Sequence, residues 1–173
     1  MIRQIFFTSL LFVVMGFSSS SVAQQRQLID ENCRQGSCWQ TYLLEKRLIH
    51  QNQFDGQNNK LFVVDLEIVS DYSGTSRDRE WIYCSLRNPF IAYDAPDDDE
   101  FMYLNLLSPA NESGIGGANL GSYIHYWAVC HDSFGIDPFS MTSQARRLGY
   151  PDWASSGFLE LPKVLLESFL NRS

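Results

Sequence analysis

The chain has no hydrophobic segment long enough to cross a membrane as a helix. Its most apolar stretch, residues 5–17, spans about 13 residues, whereas a membrane-spanning helix needs roughly 20. Arg3 precedes this stretch, and Ser21-Val22-Ala23 places small residues where a signal peptidase cleaves. The sequence therefore predicts a cleaved signal peptide over residues 1–23, a single globular secreted or periplasmic domain over residues 24–173, and no permanent membrane anchor.

Basic residues are scarce. The chain carries 13 lysines and arginines against 20 aspartates and glutamates, a formal net charge of −7. Such a chain repels the phosphate backbone of nucleic acids and anionic membrane surfaces at long range. We therefore expect no nucleic-acid partner. A cationic protein is the partner that the charge favours, and neutral glycans and divalent metals remain open.

Recognisable catalytic and cofactor motifs are also absent. No Gly-x-Ser-x-Gly nucleophile elbow occurs. The segment Gly114-Ile115-Gly116-Gly117 lacks the lysine of a phosphate-binding loop, and the acidic run at 94–100 lacks the spacing of a calcium-binding EF-hand loop. The sequence thus predicts no cofactor, no metal ion, and a binding or interaction module in preference to an enzyme.

The chain has only four cysteines, and all of them follow the predicted signal peptide. An even number of cysteines in an exported chain indicates two disulfides, for which three pairings are possible. We favour Cys33–Cys38, which closes a short glycine-containing turn, and Cys84–Cys130, which joins two distant segments. The second disulfide is expected to stabilise the fold by about 3–4 kcal/mol by restricting the unfolded chain.

The hydrophobic pattern predicts an α+β fold, with an antiparallel β-sheet of five or six strands followed by two short C-terminal helices. Residues 60–72 alternate between apolar and polar positions, and residues 39–50 are expected to form a hairpin with them across a polar turn. Residues 71–79 are expected to be a polar loop and residues 94–100 an acidic loop. The remaining predicted strands cover 80–86, 90–93, 101–107 and 123–131, and the predicted helices cover 137–149 and 162–170.

The segment 123–131 carries two of the three histidines. As a strand it would present Tyr123, His125, Trp127, Val129 and His131 on one face, with the two histidines roughly 20 Å apart along it. At that distance they cannot bind one metal ion together. We expect His125, Trp127 and His131 to contribute to an interaction surface instead.

The acidic loop offers a second candidate surface, comprising Asp97, Asp98, Asp99 and Glu100. Its carboxylates would meet a basic partner and keep the protein soluble. An alternative function is a small extracellular hydrolase in which His131 and Asp132 act as an acid–base pair, helped by His125 or by an acidic-loop residue. Asn111 and Asn171 head N-glycosylation motifs, which matter only if the secretory route is eukaryotic.

Overall fold

The computed structural model describes residues 26–34, 36–54, 56–96, 98–116, 119–166 and 168. The predicted signal peptide and the sequence motif at Asn171 lie outside these residues. Within them, no helix is both long enough and apolar enough to cross a membrane.

A single antiparallel sheet of seven strands runs through the described residues, with each strand next to its neighbours in sequence. The class is α+β, as predicted, but the sheet has more strands than the expected five or six. The strands are β1 (Gln27–Arg34), β2 (Ser37–Phe54), β3 (Gln57–Ser70), β4 (Gly74–Cys84), β5 (Phe90–Ala95), β6 (Asp98–Leu106) and β7 (Gly157–Pro162). The helices are α1 (Leu120–His131) and α2 (Thr142–Leu148), and single 3-10 turns occur at Glu112–Gly114 and Lys163–Leu165.

The predicted long hairpin is confirmed as β2 and β3, and the short strands expected at 90–93 and 101–107 are confirmed as β5 and β6. The polar loop expected at residues 71–79 is wrong, because β4 begins at Gly74 and pairs with the second half of β3. Backbone hydrogen bonds hold this part of β4 although its side chains are exposed. The acidic loop is likewise a tight hairpin in which Ala95 pairs with Asp98.

The strand predicted at 123–131 is wrong, because these residues belong to α1. Every residue from Tyr123 to Val129 is buried, so the segment is apolar on all sides, and such a run has no period that distinguishes a helix from a strand. The helix ends at Asp132, which adopts a left-handed conformation (φ 50°) and donates its N–H to the carbonyl oxygen of Trp127.

The predicted C-terminal helices are confirmed only in part. Helix α2 ends at Gly149 (φ 96°) as expected, but it begins at Thr142, and Asp137 instead accepts a hydrogen bond from the N–H of Phe139 (3.2 Å) in a preceding turn. Pro162 ends β7 and is followed by a single 3-10 turn. Val164, expected to be buried, is 79% exposed, and the last residues of the predicted helix lie outside the described part of the chain.

Apolar side chains cover both faces of the sheet. One face packs against α1 through Val64, Leu66, Ile82 and Ile91, which meet Tyr123, Tyr126 and Trp127 of the helix. The other face carries a smaller cluster that includes Leu61, Tyr83, Phe90, Ala92, Met102 and Leu104. The strands therefore direct apolar residues to both sides of the sheet, and α1 covers one of these faces.

Both predicted disulfides are present. Cys33–Cys38 joins two directly opposed residues at the β1–β2 turn, and Cys84–Cys130 ties the end of β4 to the last turn of α1. The second disulfide holds the helix in register on the sheet.

The two disulfides should differ in their contribution to stability. Replacing Cys84 and Cys130 together with alanine should lower the free energy of unfolding by about 4 kcal/mol, because the sequence separation is 46 residues. Replacing Cys33 and Cys38 should cost about 2 kcal/mol, because the separation is 5 residues. Urea unfolding of the two double variants measures both values, and a larger loss from the short loop would contradict the expectation.

Candidate functional site

A pocket of about 380 Å³ lies between strands β1–β3 and the first half of α1. We call it the α1 pocket. Besides Ile68 and Gly121, its wall carries the polar and aromatic side chains of Asp30, Trp39, Thr41, Ser70, Ser73 and His125.

Strand pairing brings the sheet residues of the pocket together. Asp30 on β1 lies opposite Thr41 on β2, and Trp39 on β2 lies opposite Ser70 on β3. A β-bulge between Leu28 and Asp30 lets the consecutive residues Ile29 and Asp30 both be buried. Bulges commonly redirect a side chain in this way. The bulge therefore turns a carboxylate inward in a segment that would otherwise alternate.

His125 reaches the pocket from α1 and pairs with Glu80 on β4. Its Nδ1 lies 3.1 and 3.0 Å from the two carboxylate oxygens of Glu80, and both residues are buried. Burial, the largest influence, lowers the pKa of His125, but the charge and hydrogen bond of Glu80 and the carboxylates of Asp30 and Asp78 outweigh it, so that the pKa is raised. The surrounding carboxylates thus shift the equilibrium towards the imidazolium form, in which Nδ1–H is donated to Glu80.

Asp30 carries a negative charge that the pair of His125 and Glu80 does not neutralise. Charged His125 and Glu80 cancel each other, whereas the carboxylate of Asp30, only 8% exposed, has no hydrogen bond or salt bridge of its own within the described chain. Thr41, 3% exposed, donates no side-chain hydrogen bond there either. The pocket therefore carries about one uncompensated negative charge and an unused hydroxyl.

The mouth of the pocket is formed by the turn between β3 and β4, which is tied to β2. Asp71 accepts hydrogen bonds from the hydroxyl of Ser37 and from the N–H of Cys38, both at 2.9 Å. Ser70 Oγ accepts from the N–H groups of Tyr72 (3.2 Å) and Ser73 (3.3 Å). These bonds hold the turn beside Trp39, so the opening is preformed.

The structure separates the residues of the predicted histidine surface. His125 faces the α1 pocket, Trp127 is fully buried in the core, and His131 lies at the end of α1. They do not share one exposed face, because the segment is a helix. Of the three, only His125 belongs to the candidate site.

His131 and Asp132 contact different partners. His131 Nε2 lies 2.7 Å from the hydroxyl of Tyr150, whereas the exposed Asp132 pairs with Lys46 at 3.3 Å. The acid–base pair suggested by the sequence is therefore not assembled in this structure.

The acidic residues at the β5–β6 turn lie on the surface. Asp98, Asp99 and Glu100 are exposed, and Asp97 falls outside the described residues. Asp94 pairs with Lys163 at 2.6 Å. No group of three or more histidine, cysteine, aspartate or glutamate side chains is arranged to hold a metal ion anywhere in the described ranges.

Asp30 and Glu80 are the site residues that sequence reasoning missed. The available signal was weak, since each is one charged residue next to an apolar pair, Leu28-Ile29 and Trp81-Ile82 respectively. Asp30 and Glu80 lie 50 positions apart in the sequence, which is not the spacing of a recognisable motif. Only the packing of β1, β4 and α1 brings them to the same histidine.

Comparisons with known proteins supply no relative: no family model, no curated protein and no solved structure matches the chain.

The pairing of His125 with Glu80 predicts a measurable change in the titration of this histidine. In the wild type its pKa should lie above 6.5, and Glu80→Gln should lower it below 6.5, because burial remains while the nearest carboxylate is lost. NMR titration of the imidazole signals measures both values. Asp98→Asn, which removes an exposed carboxylate, is the control and should leave the titration unchanged.

The same pair determines how stability depends on pH. Because the pKa of His125 is raised on folding, its stabilising contribution is complete below the unfolded value of about 6.5 and is lost as pH rises through the folded value. Urea unfolding measured at pH values from about 6.5 upwards should show this loss of stability in the wild type and a smaller loss in Glu80→Gln. Identical pH profiles for the two proteins would contradict the assignment.

Proposed function

We propose that the protein is an extracytoplasmic, non-enzymatic binding module whose α1 pocket accepts a cationic group from a protein partner. The observation that carries the proposal is the buried carboxylate of Asp30, which lines the pocket without a cation of its own beside the neutral pair of His125 and Glu80.

A bound cation would supply the missing charge. At a separation of about 4 Å and an effective dielectric constant near 20, attraction to one carboxylate is worth about 4 kcal/mol. Asp30 is only 8% exposed in the folded chain, so a ligand removes little further solvent from it. The pocket is therefore preorganised for an ammonium or guanidinium group.

The pocket walls suit the side chain of lysine or arginine. Its volume of about 380 Å³ admits such a chain, Trp39 offers an aromatic face to a cation, and Thr41 and Ser73 add hydroxyl oxygens. Tyr72, 89% exposed on the turn beside the mouth, offers the kind of aromatic contact that is common at protein interfaces. These features favour a protein partner over a free inorganic cation.

Export is part of the proposal. The predicted signal peptide supports it, and so do two disulfides, since such bonds persist mainly in oxidising compartments. The net charge of −7 favours a basic partner and opposes nucleic acid.

The hydrolase alternative has less support. It requires His131 and Asp132 to converge on one reacting group, whereas His131 is hydrogen-bonded to Tyr150 and Asp132 pairs with Lys46. The hydrolase function therefore stays a prediction, and the observed contacts of His131 and Asp132 do not favour it.

Asp30→Asn should abolish the cation preference of the pocket. We expect wild-type protein to bind Nα-acetyl-lysine amide at least about tenfold more tightly than Nα-acetyl-norleucine amide, which lacks the ammonium group. Asp30→Asn should remove this difference, and added salt should weaken the wild-type interaction. Chemical-shift titration measures the affinities and shows whether Asp30, Trp39 and His125 respond.

Asp98→Asn is the matched control, because it removes the same charge from an exposed position outside the pocket. It should leave the preference intact, and it should still capture the same proteins from the envelope or secreted fraction of the source cell. Asp30→Asn should also be at least as stable as the wild type, since it removes an unpaired buried charge. Equal binding by Asp30→Asn and wild type would overturn the proposal.

A further inference from the structure

A second cavity, of about 370 Å³, lies beside the last turn of α1 and shares no lining residue with the α1 pocket. We call it the Lys60 cavity. Its polar wall includes Asn58, Asn59, Lys60, Ser85, His131 and Tyr150. None of the described residues that line it is acidic, although the chain contains 20 aspartates and glutamates.

Strand pairing and a disulfide hold this cavity together. Lys60 on β3 lies opposite Cys84 on β4, and Cys84 is bonded to Cys130, the neighbour of His131. Lys60 is half-buried and forms no ion pair with any described residue. Among the described residues, the cavity therefore presents one cation without a neutralising partner.

A chain of hydroxyl groups determines the protonation of His131. Its Nε2 lies 2.7 Å from the hydroxyl of Tyr150, which lies 2.7 Å from the hydroxyl of Tyr126, and Tyr126 donates to the carbonyl oxygen of Ser85 at 3.2 Å. Each of these three hydrogen bonds needs one proton. The two tyrosine hydroxyls provide two protons, and the carbonyl oxygen of Ser85 provides none. The third proton must therefore lie on Nε2 of His131.

His131 is consequently an acceptor at its other nitrogen. Burial lowers the pKa of His131, despite the opposing charge of Asp132, so the neutral ring is favoured near pH 7. With the proton on Nε2, the lone pair is on Nδ1, which has no hydrogen-bond partner within the described chain. Burial raises the pKa of both Tyr126 and Tyr150, so their hydroxyls keep the protons that this count requires.

Ser85 and Asn59 add two deeply buried polar groups to the cavity wall. Ser85, 4% exposed, accepts a hydrogen bond from the N–H of Asn88 at 3.3 Å, but its own hydroxyl proton is donated to no described residue. Asn59, 3% exposed, uses its amide nitrogen towards Asn52 at 3.2 Å. Unused hydrogen-bonding capacity at such depth is costly unless a ligand or water meets it.

We propose that the Lys60 cavity binds a small hydroxylated carboxylate of the sugar-acid class, with Lys60 pairing with the carboxylate while Ser85, Asn59 and His131 hydrogen-bond to hydroxyl groups. A single lysine matches one negative charge. A dianion such as phosphate would leave charge uncompensated in a chain that is already acidic. Side-chain amides and hydroxyls are suited to a ligand with several alternating donors and acceptors.

Three matched probes test the proposal on the full mature chain at physiological salt. Glucuronate carries both recognised features, glucose lacks the carboxylate, and acetate lacks the hydroxyls. In a chemical-shift titration up to tens of millimolar, glucuronate should bind at least about tenfold more tightly than glucose or acetate. The perturbed signals should include Lys60, Ser85, His131 and Tyr150. Absence of these perturbations, or equal binding of glucose, would overturn the proposal.

Lys60→Gln should weaken glucuronate binding by about tenfold or more, because it removes the charge proposed to pair with the carboxylate. Arg77→Gln is the control, since Arg77 is exposed and lies seven residues from Cys84 along β4, about 23 Å away. It removes the same charge and should leave affinity unchanged. Equal affinity of Lys60→Gln and the wild type for glucuronate would contradict the proposed role of Lys60.

The nitrogen spectrum of His131 provides a readout that general destabilisation would not mimic. In the free protein near neutral pH, long-range ¹H–¹⁵N correlations should show a neutral ring protonated on Nε2. Glucuronate should raise the pKa of His131, because an anion would then lie nearby. A ring protonated on Nδ1, or a pKa unmoved by saturating glucuronate, would contradict the proposed site.

Discussion

The packing of α1 against the sheet is the constraint on which the rest of the structure depends. Seven consecutive residues of this helix are buried, and its aromatic side chains fill the space above β3, β4 and β5. The Cys84–Cys130 disulfide holds the helix at one end, and the buried pair of His125 and Glu80 holds it nearer the other. Both cavities border this helix, so their shapes depend on its position.

The two cavities differ in charge because the helix meets different strands at each. Near its first half it faces β1, where a bulge directs the carboxylate of Asp30 inward. Near its last turn it faces the junction of β3 and β4, where Lys60 lies and where no described acidic residue lines the cavity. In water these charges would be screened, but in a partly buried setting each retains much of its strength. An acidic chain can therefore carry one anionic and one locally cationic cavity.

Much of the fold could be predicted from local patterns in the sequence. The alternation of apolar and polar residues predicted β3 and its hairpin with β2. The even number of cysteines, together with the predicted signal peptide, predicted both disulfides. Prediction failed where local pattern and tertiary environment disagree. Residues 74–79 look like a loop because their side chains are polar, yet their backbone completes a ladder with β3. Residues 123–131 are apolar at nearly every position, so they show no usable period.

The candidate sites were less accessible to prediction than the fold. The sequence by itself determined the acidic charge, the disulfide chemistry and most of the central strands, because these depend on residue type or on short-range periodicity. Only the tertiary structure decided that His125 meets Glu80 beside Asp30, and that His131 meets Tyr150 beside Lys60. These contacts join residues from distant strands and helices, and the cost of burying a charge depends on the neighbours that packing provides.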